Sequence, residues 1–186
     1  MAGILTRKRF TADEYHRMAQ VGILGERGVE LIDGEIVVMT PIGNRHSACV
    51  ASANRALVTA AGDEAIVQPQ GSVRLDLFYE PEPDLVLLRP RTDFYSGRAR
   101  RPQDVILIIE VADSSLEYDR DVKAPVYAAA GIPEYWLADL NANVVWRYSS
   151  PAGGAYRSVR PHHRGESIAP VLLPSCVIAT DVLLTE

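Results

Sequence analysis

The segment VILIIEVA at 105–112 places Glu110 near the end of an otherwise apolar run. A short run of β-branched and aliphatic residues is typical of a strand that is buried on both faces, as in the centre of a mixed sheet. A carboxylate loses its hydration in such a strand, so an unpaired one is costly to bury. Glu110 therefore needs a partner, either a metal ion or a basic side chain.

Length and composition indicate one globular domain spanning 1–186. The chain has 186 residues, 47% hydrophobic and 23% charged, with no internal repeat and no linker-like stretch. Its apolar runs end well before the roughly 18 residues of a membrane helix. The first ten residues, MAGILTRKRF, lack the apolar segment of a signal peptide. Cys49 and Cys176 have the apolar neighbours of reduced thiols, so we expect a cytoplasmic protein with no membrane partner.

The net charge limits how the chain could bind nucleic acid. A net charge of −5, with a pI near 5.4, argues against a protein that coats nucleic acid non-specifically, because such binding depends on lysine and arginine neutralising phosphates. A local basic rim is compatible with this balance. The segment RPRTDFYSGRARRP (89–102) carries a net charge of +4 and is either a solvated loop or a surface for DNA phosphates. Its arginines are Arg89, Arg91, Arg98, Arg100 and Arg101.

The N-terminal third predicts a helix, a hairpin and a second helix. Thr11 and Glu14 have capping-box spacing before the first helix. The pair Asp33-Gly34 between two apolar arms is a strong hairpin signal. Helical periodicity then places one set of residues on an inward face, with His46 one turn before them: Val50, Ala53, Asn54, Leu57, Val58 and Ala61.

The remaining segments predict strands around one further helix. EAIVQPQGSVRLDLF reads as one or two strands, and PDLVLLRP (83–90) as a short buried strand. A helix over roughly 116–130 should kink or start late because of Pro125, and end at Gly131. EYWLADL, NVVWRYSS and AYRSVR predict an antiparallel meander. The fold class is therefore α+β, or α/β-like, with a central mixed β-sheet flanked by helices.

Two carboxylates on strands suggest a metal site. Asp84 opens one predicted strand and Glu110 lies near the end of another, so neighbouring strands would bring them together. Mg²⁺ prefers oxygen ligands, commonly one or two carboxylates completed by waters and a substrate phosphate. Such an ion can activate water and polarise a phosphoryl group, and a nearby lysine would orient that water.

Taken together, these segments resemble a known family. VELIDGEIVVMTP, PEPDLVLL and IIEVADSSLEYDRDVKAPVYAAAGIPEYWLADL are similar to the Uma2 family of restriction-endonuclease-like proteins, within the PD-(D/E)XK nuclease superfamily. The resemblance runs from about Phe10 to Leu184, and the stretch from Glu110 to Trp136 is its most specific part. It implies a restriction-endonuclease-like core with an N-terminal helix and hairpin.

The resemblance also implies site residues. Asp84 matches the motif aspartate and Glu110 the motif acid, while the motif lysine is absent because position 112 is Ala112. Lys123, in the following helix, matches the displaced base. The family pattern further implies a supporting acid and a histidine that contacts the substrate or the metal's water shell: Glu30 and His46.

Each of these residues also has a structural alternative. Asp84 could start a strand, Glu110 and Lys123 could form an ion pair, and Lys123 could instead be a solvated helix residue. Glu30 could pair with an arginine across the hairpin, and His46 could be a core histidine. Asp113 and Asp119 are expected to be helix-cap and first-turn charges.

The resulting hypothesis is Mg²⁺- or Mn²⁺-dependent hydrolysis of DNA phosphodiesters by a homodimer, since duplex cleavage needs two sites. Asp84 and Glu110 would bind the metal and Lys123 would position water. Two alternatives stay open: a nuclease-fold module that binds DNA or metal without turnover, and a metal-dependent phosphohydrolase of another substrate. The missing lysine at position 112 and the acidic net charge support the first alternative.

Overall fold

The computed structural model describes residues 6–25, 28–39 and 43–185, and its first elements are a helix and a hairpin. Helix α1 (Ala12–Gln20) starts at the predicted capping box, in which the Thr11 hydroxyl accepts a hydrogen bond from the Glu14 amide at 3.2 Å. Strands β1 (Val29–Ile32) and β2 (Glu35–Val38) pair antiparallel. Asp33 and Gly34 between them both have positive φ, as a tight hairpin turn requires.

Helix α2 (Asn44–Ala61) confirms the second predicted helix and buries one stripe of side chains. The buried set is Cys49, Val50, Ala53, Leu57 and Ala61. Val58 was predicted on the same face, and this is wrong because its side chain is exposed. One residue after Leu57, it is rotated by about 100° from the apolar stripe.

A six-stranded mixed sheet forms the centre of the fold, in the order β3-β4-β5-β6-β7-β8. All neighbours are antiparallel except β5 and β6, which are parallel. The prediction of a central mixed sheet flanked by helices is confirmed. The strands are β3 (Ile66–Pro69), β4 (Leu85–Leu88), β5 (Val105–Ala112), β6 (Glu134–Asp139), β7 (Val144–Ala152) and β8 (Ala155–His163).

Strand β5 is buried along its whole length, and its two faces enter different cores. Ile109 and Val111 pack with α2 and the C-terminal segment. Ile108 and Ala112 pack with residues of the last helix, including Tyr127. Because side chains alternate along a strand, Glu110 belongs to the face of Ile108 and Ala112.

The helix after β5 is broken into three parts. It comprises α3 (Leu116–Tyr118), a π turn at Asp119–Lys123 and α4 (Ala124–Ala129), and Gly131 follows with φ +76°. We attribute the π turn to Pro125, which has no N–H to donate and whose ring clashes with the carbonyl four residues earlier in a regular α-helix. This break replaces the predicted kink or late start.

The segments between and after these elements are mostly irregular. The segment EAIVQPQGSVRLDLF, predicted to form one or two strands, forms one, β3. Strands β9 (Ser167–Ile168) and β10 (Ile178–Ala179) pair near the end, and short 3₁₀ turns cover Gly62–Glu64, Pro102–Asp104 and Thr180–Leu183. No helix in the described parts of the chain is both long and apolar enough to cross a membrane.

Candidate active site

Asp84 and Glu110 meet at one end of the β4–β5 pair. Leu85 pairs with Ile109 in antiparallel register, which sets Asp84 beside Glu110. The Asp84 amide donates to Oε2 of Glu110 at 3.2 Å, and the Val111 amide donates to Oδ2 of Asp84 at 2.8 Å. Backbone hydrogen bonds from each strand thus fix the carboxylate of the other.

Lys123 reaches this pair from the π turn. Its Nζ lies 3.0 Å from Oε1 of Glu110, 3.2 Å from Oε2 of Glu30 and 3.9 Å from Oδ1 of Asp119. The Tyr127 hydroxyl donates to the same Glu110 oxygen at 2.8 Å. The side chain of Lys123 is only 4% exposed, so its ammonium is enclosed by carboxylates rather than by water.

The position of the helix explains how a lysine can be absent at position 112 and present at 123. Ala112 lies two residues after Glu110 on the same strand face and is completely buried. Ala124 and Tyr127 pack in the same core cluster, so the helix covers this face of β5. The helix thereby fills the space beside Ala112 and supplies a lysine from its own side.

Glu30 joins the cluster from the hairpin and is completely buried. Its Oε1 accepts a hydrogen bond from the Tyr118 hydroxyl at 3.0 Å, and its Oε2 one from the Glu82 amide at 3.3 Å. The alternative prediction was that Glu30 pairs with an arginine across the hairpin, whereas its ion-pair partner is Lys123. Glu30 therefore binds the hairpin to the helix after β5.

A second buried carboxylate holds the hairpin in place. Leu31 and Glu80 exchange backbone hydrogen bonds at 2.8 and 3.3 Å. The Glu80 side chain lies 2.8 Å from Nε2 of His16 and 2.9 Å from Nε of Arg74. Glu80 thus connects α1 and the 72–82 segment to the strand that carries Glu30.

His46 lies at the more open edge of the cluster. Its Nε2 is 2.9 Å from Oδ2 of Asp84, and both side chains are 14% exposed. Burial alone would lower the pKa of His46, but the hydrogen bond and charge of Asp84, with Asp119 and Asp113, outweigh it and raise that pKa. Nδ1 of His46 has no hydrogen-bond partner among the described residues.

Asp119 is a member of the cluster that sequence reasoning missed. It was expected to be a helix-cap or first-turn charge, but its side chain is buried and accepts a hydrogen bond from the Ser115 hydroxyl at 2.5 Å. The π turn explains this difference, because it leaves both Asp119 and Lys123 buried against the sheet. Their spacing of four residues was the sequence feature that indicates a contact between the two side chains.

Arg45 is a second residue that sequence reasoning missed. It sits in the first turn of α2, and its guanidinium donates to the Leu140 carbonyl at 2.5 Å and to Asp113 and Asn141 at 3.3 and 3.2 Å. The Leu140 amide in turn donates to the Ala112 carbonyl. Arg45 therefore brings a partly exposed positive charge to the carboxyl ends of β5 and β6, beside His46.

The cluster holds more negative than positive charge. Glu30, Glu110 and Asp119 lie within 3.9 Å of the buried Lys123 ammonium, and Asp84 lies beside Glu110. Burial raises the pKa of Glu110 well above its usual value, despite the opposing charge of Lys123. Burial likewise raises the pKa of Asp119, to about 6. For Lys123 burial acts in the lowering direction, and the charges of Glu110, Glu30 and Asp119 reverse it to raise the pKa.

Two of these carboxylates fit a hard cation. Among the described residues, Oδ1 of Asp84 receives no hydrogen bond, and Oε2 of Glu110 receives one only from the Asp84 amide. Mg²⁺ commonly binds through one or two carboxylates and keeps several waters, so this pair suits it. Within the described ranges, no group of three or more histidine, cysteine, aspartate or glutamate side chains is arranged to hold a metal.

The arginine-rich segment lies away from the cluster. It connects the end of β4 to the start of β5, and the Arg89 amide donates to the Asp104 carbonyl at the opposite end of this strand pair from Asp84. Arg89 lies five positions after Asp84 along this extended chain, a distance of about 17 Å. Its other arginines mostly contact nearby groups: Arg91 with Asp93 at 2.8 Å, Arg98 with Asp104 at 2.6 Å, Arg100 with Gln68 at 3.2 Å, and the Arg101 amide with Asp104 at 2.8 Å.

Comparisons with known proteins agree with this architecture. The model of the Uma2 family, described as "Putative restriction endonuclease", matches residues 12–181. A crystal structure described as "a putative nuclease belonging to DUF820 from Anabaena variabilis ATCC 29413" superposes with a TM-score of 0.68 at 18% identity. The superposition covers 94% of this chain and 97% of the other, so the two share a fold. No curated protein matches the sequence.

Proposed function

This chain belongs to the Uma2 family, and on that premise we propose that it is a nuclease that hydrolyses phosphodiester bonds of DNA with Mg²⁺ or Mn²⁺. The observation that carries the proposal is the position of Lys123. Its ammonium lies against Glu110, the motif acid, although the motif position two residues later is Ala112. A pair of acids can bind the metal and an adjacent lysine can orient the attacking water, as metal-assisted phosphodiester hydrolysis requires.

The roles follow from the contacts. Asp84 and Glu110 would hold the cation, and Glu30 assists by fixing Lys123 at 3.2 Å. When bound, the cation polarises the phosphoryl oxygens and makes coordinated water more acidic. Lys123 orients the attacking water and offsets negative charge that develops on the phosphate. His46 orients Asp84 through Nε2, which lies 2.9 Å from Oδ2 of Asp84.

Two further parts of the proposal concern assembly and binding. A domain with one such cluster cuts one strand at a time, so a homodimer would supply the second site for duplex cleavage. The segment 89–101, which starts at the opposite end of the β4–β5 pair from Asp84, would bind DNA phosphates away from the cleavage point. The guanidinium of Arg45 would bind a DNA phosphate nearer the cluster, because Arg45 contacts Asp113 just after the end of β5.

One observation favours a second candidate, a nuclease-fold module without turnover. The side chains of Lys123 and Glu110 are each 4% exposed and hydrogen-bonded to each other. A buried ion pair of this kind can serve the fold alone, since removing one partner leaves an uncompensated buried charge. Such a module would keep the Glu110–Lys123 pair and bind DNA or metal without cleaving.

The deciding experiment incubates labelled duplex and single-stranded DNA with the protein in Mg²⁺, Mn²⁺ or EDTA. Cleavage that needs metal and is lost in both Asp84→Ala and Glu110→Ala is the expected result. Absence of cleavage by the wild type, or equal cleavage by these variants, overturns the nuclease proposal. DNA binding without cleavage selects the module, and light scattering at the assay concentration tests the homodimer.

A further inference from the structure

The turn within the arginine-rich segment carries an exposed aromatic ring that neither the core nor the candidate active site uses. Phe94 is 69% exposed. It and the next residue both have positive φ, 48° at Phe94 and 62° at Tyr95. Bulky residues rarely adopt this left-handed backbone, because Cβ approaches the neighbouring carbonyl. Two consecutive aromatic residues in this conformation call for compensation from their surroundings.

Tyr95 has that compensation, whereas Phe94 does not. Tyr95 is 5% exposed, and its hydroxyl donates to the Arg89 carbonyl at 2.7 Å. The guanidinium carbons of Arg91 and Arg98 lie 5.2 and 5.3 Å from the centre of its ring. The strain at Tyr95 is thus offset by burial and cation–π contacts. The same turn holds the Phe94 ring out in solvent.

Backbone and side-chain hydrogen bonds make the turn rigid. The Phe94 amide donates to the Arg91 carbonyl at 3.2 Å, and the Ser96 amide to the Asp93 carbonyl at 2.9 Å. Asp93 also accepts from the Tyr95 amide at 3.3 Å and forms two hydrogen bonds of 2.8 Å with Arg91. A rigid turn lowers the conformational entropy lost when the Phe94 ring binds a partner.

The charge of the segment indicates the kind of partner. The segment 89–102 carries +4 in a chain of net charge −5, and Arg89, Arg91 and Arg98 are exposed in the same segment as Phe94. An exposed aromatic ring among guanidinium groups suits single-stranded nucleic acid, whose bases stack on the ring while its phosphates meet the cations. A duplex keeps its bases stacked on each other and gains less from the ring.

We propose that Phe94 is a stacking platform for an unpaired base of single-stranded DNA, at a site separate from the cleavage cluster. The proposal rests on the proposed function for the choice of nucleic acid as partner. It adds a residue, Phe94, and a substrate form, a single strand or a frayed duplex end, bound by the segment that starts at the opposite end of the β4–β5 pair from Asp84.

The test measures fluorescence anisotropy of a labelled single-stranded oligonucleotide and its duplex in EDTA, where no metal-dependent cleavage occurs. Phe94→Ala is expected to weaken single-strand binding about tenfold and duplex binding less than about twofold. Phe94→Trp keeps a stacking surface and should retain wild-type affinity. Leu77→Ala is the matched control, because Leu77 is an exposed apolar residue (54%) outside this turn.

The outcomes separate this inference from the nuclease proposal. Unchanged single-strand affinity in Phe94→Ala, an equal loss in Leu77→Ala, or no single-strand binding by the wild type overturns the stacking platform. None of these results bears on metal-dependent cleavage, which is scored separately with Asp84→Ala. Conversely, Phe94-dependent binding by a protein that never cleaves keeps the platform and overturns the nuclease.

Discussion

Nζ of Lys123 lies 3.0 Å from Oε1 of Glu110, although the two residues are 13 positions apart and belong to different elements. Position 112, two residues after Glu110, where a standard nuclease motif would carry its lysine, is the fully buried Ala112. The helix that covers Ala112 delivers the lysine instead. The Glu110–Lys123 pair therefore makes Lys123 the first residue to test for the proposed catalytic role.

Replacing Lys123 should abolish cleavage. We expect Lys123→Met to lower the cleavage rate at least about 100-fold, because the group that orients water is lost. It should also reduce the free energy of unfolding by about 3–5 kcal/mol, since buried carboxylates lose their counter-charge. Cleavage is measured at a temperature where circular dichroism shows the variant folded. Arg120→Met, on the same π turn but exposed, is the control, and wild-type cleavage by folded Lys123→Met would refute the assignment.

Removing Asp84 should remove metal binding as well as activity. At Mn²⁺ concentrations about 100-fold above the Kd, we expect the wild type to gain about 2.7 kcal/mol in free energy of unfolding. Excess EDTA should reverse that gain. Asp84→Asn should show no gain, because it lacks one of the two carboxylates that fit the cation. Asp63→Asn, at an exposed position after α2, should behave like the wild type, and a metal response in Asp84→Asn equal to the wild type would place the ion elsewhere.

The raised pKa of Asp119 predicts a pH-dependent stability. Burial raises this pKa from 3.8 to about 6, so the native state binds more protons than the unfolded chain between about pH 4 and 6. The contribution of Asp119 to the free energy of unfolding therefore falls as the pH rises through this window, by about 3 kcal/mol at most. Asp119→Asn cannot titrate, so its stability relative to the wild type should rise from pH 4 to 6. Urea denaturation of both proteins across this range measures the difference, and a flat or falling difference would contradict the prediction.

Arg45 is predicted to bind a substrate phosphate near the cluster. In Arg45→Ala we expect weaker DNA binding and a salt dependence reduced by about one unit in the slope of log K against log salt concentration. Arg55→Ala is the matched control, since Arg55 is exposed on the same helix about 15 Å further along. Binding isotherms at several salt concentrations in EDTA provide the measurement. Equal slopes for the Arg45→Ala and Arg55→Ala proteins would exclude a specific phosphate contact at Arg45.

Local patterns were sufficient for most of the architecture. The capping box at Thr11, the turn at Asp33-Gly34 and the apolar run of β5 all act over a few residues, so they can be read from spacing. The failures arose where neighbours along the chain do not decide the outcome. Val58 matched the helical period yet is exposed, and Asp119 was expected to be a helix-cap or first-turn charge yet is buried.

The sequence by itself determined that a carboxylate would lie near the end of a buried strand at Glu110 and that a second one would open another strand at Asp84. Only the tertiary structure decided what surrounds them. The π turn buries Asp119 and Lys123 together, and the hairpin adds Glu30 from 93 residues before Lys123. The tertiary structure also places the start of the arginine-rich segment at the opposite end of the β4–β5 pair from Asp84. The physical reason is that periodicity reports which face of an element is buried, whereas the packing of elements on each other decides which buried charges meet.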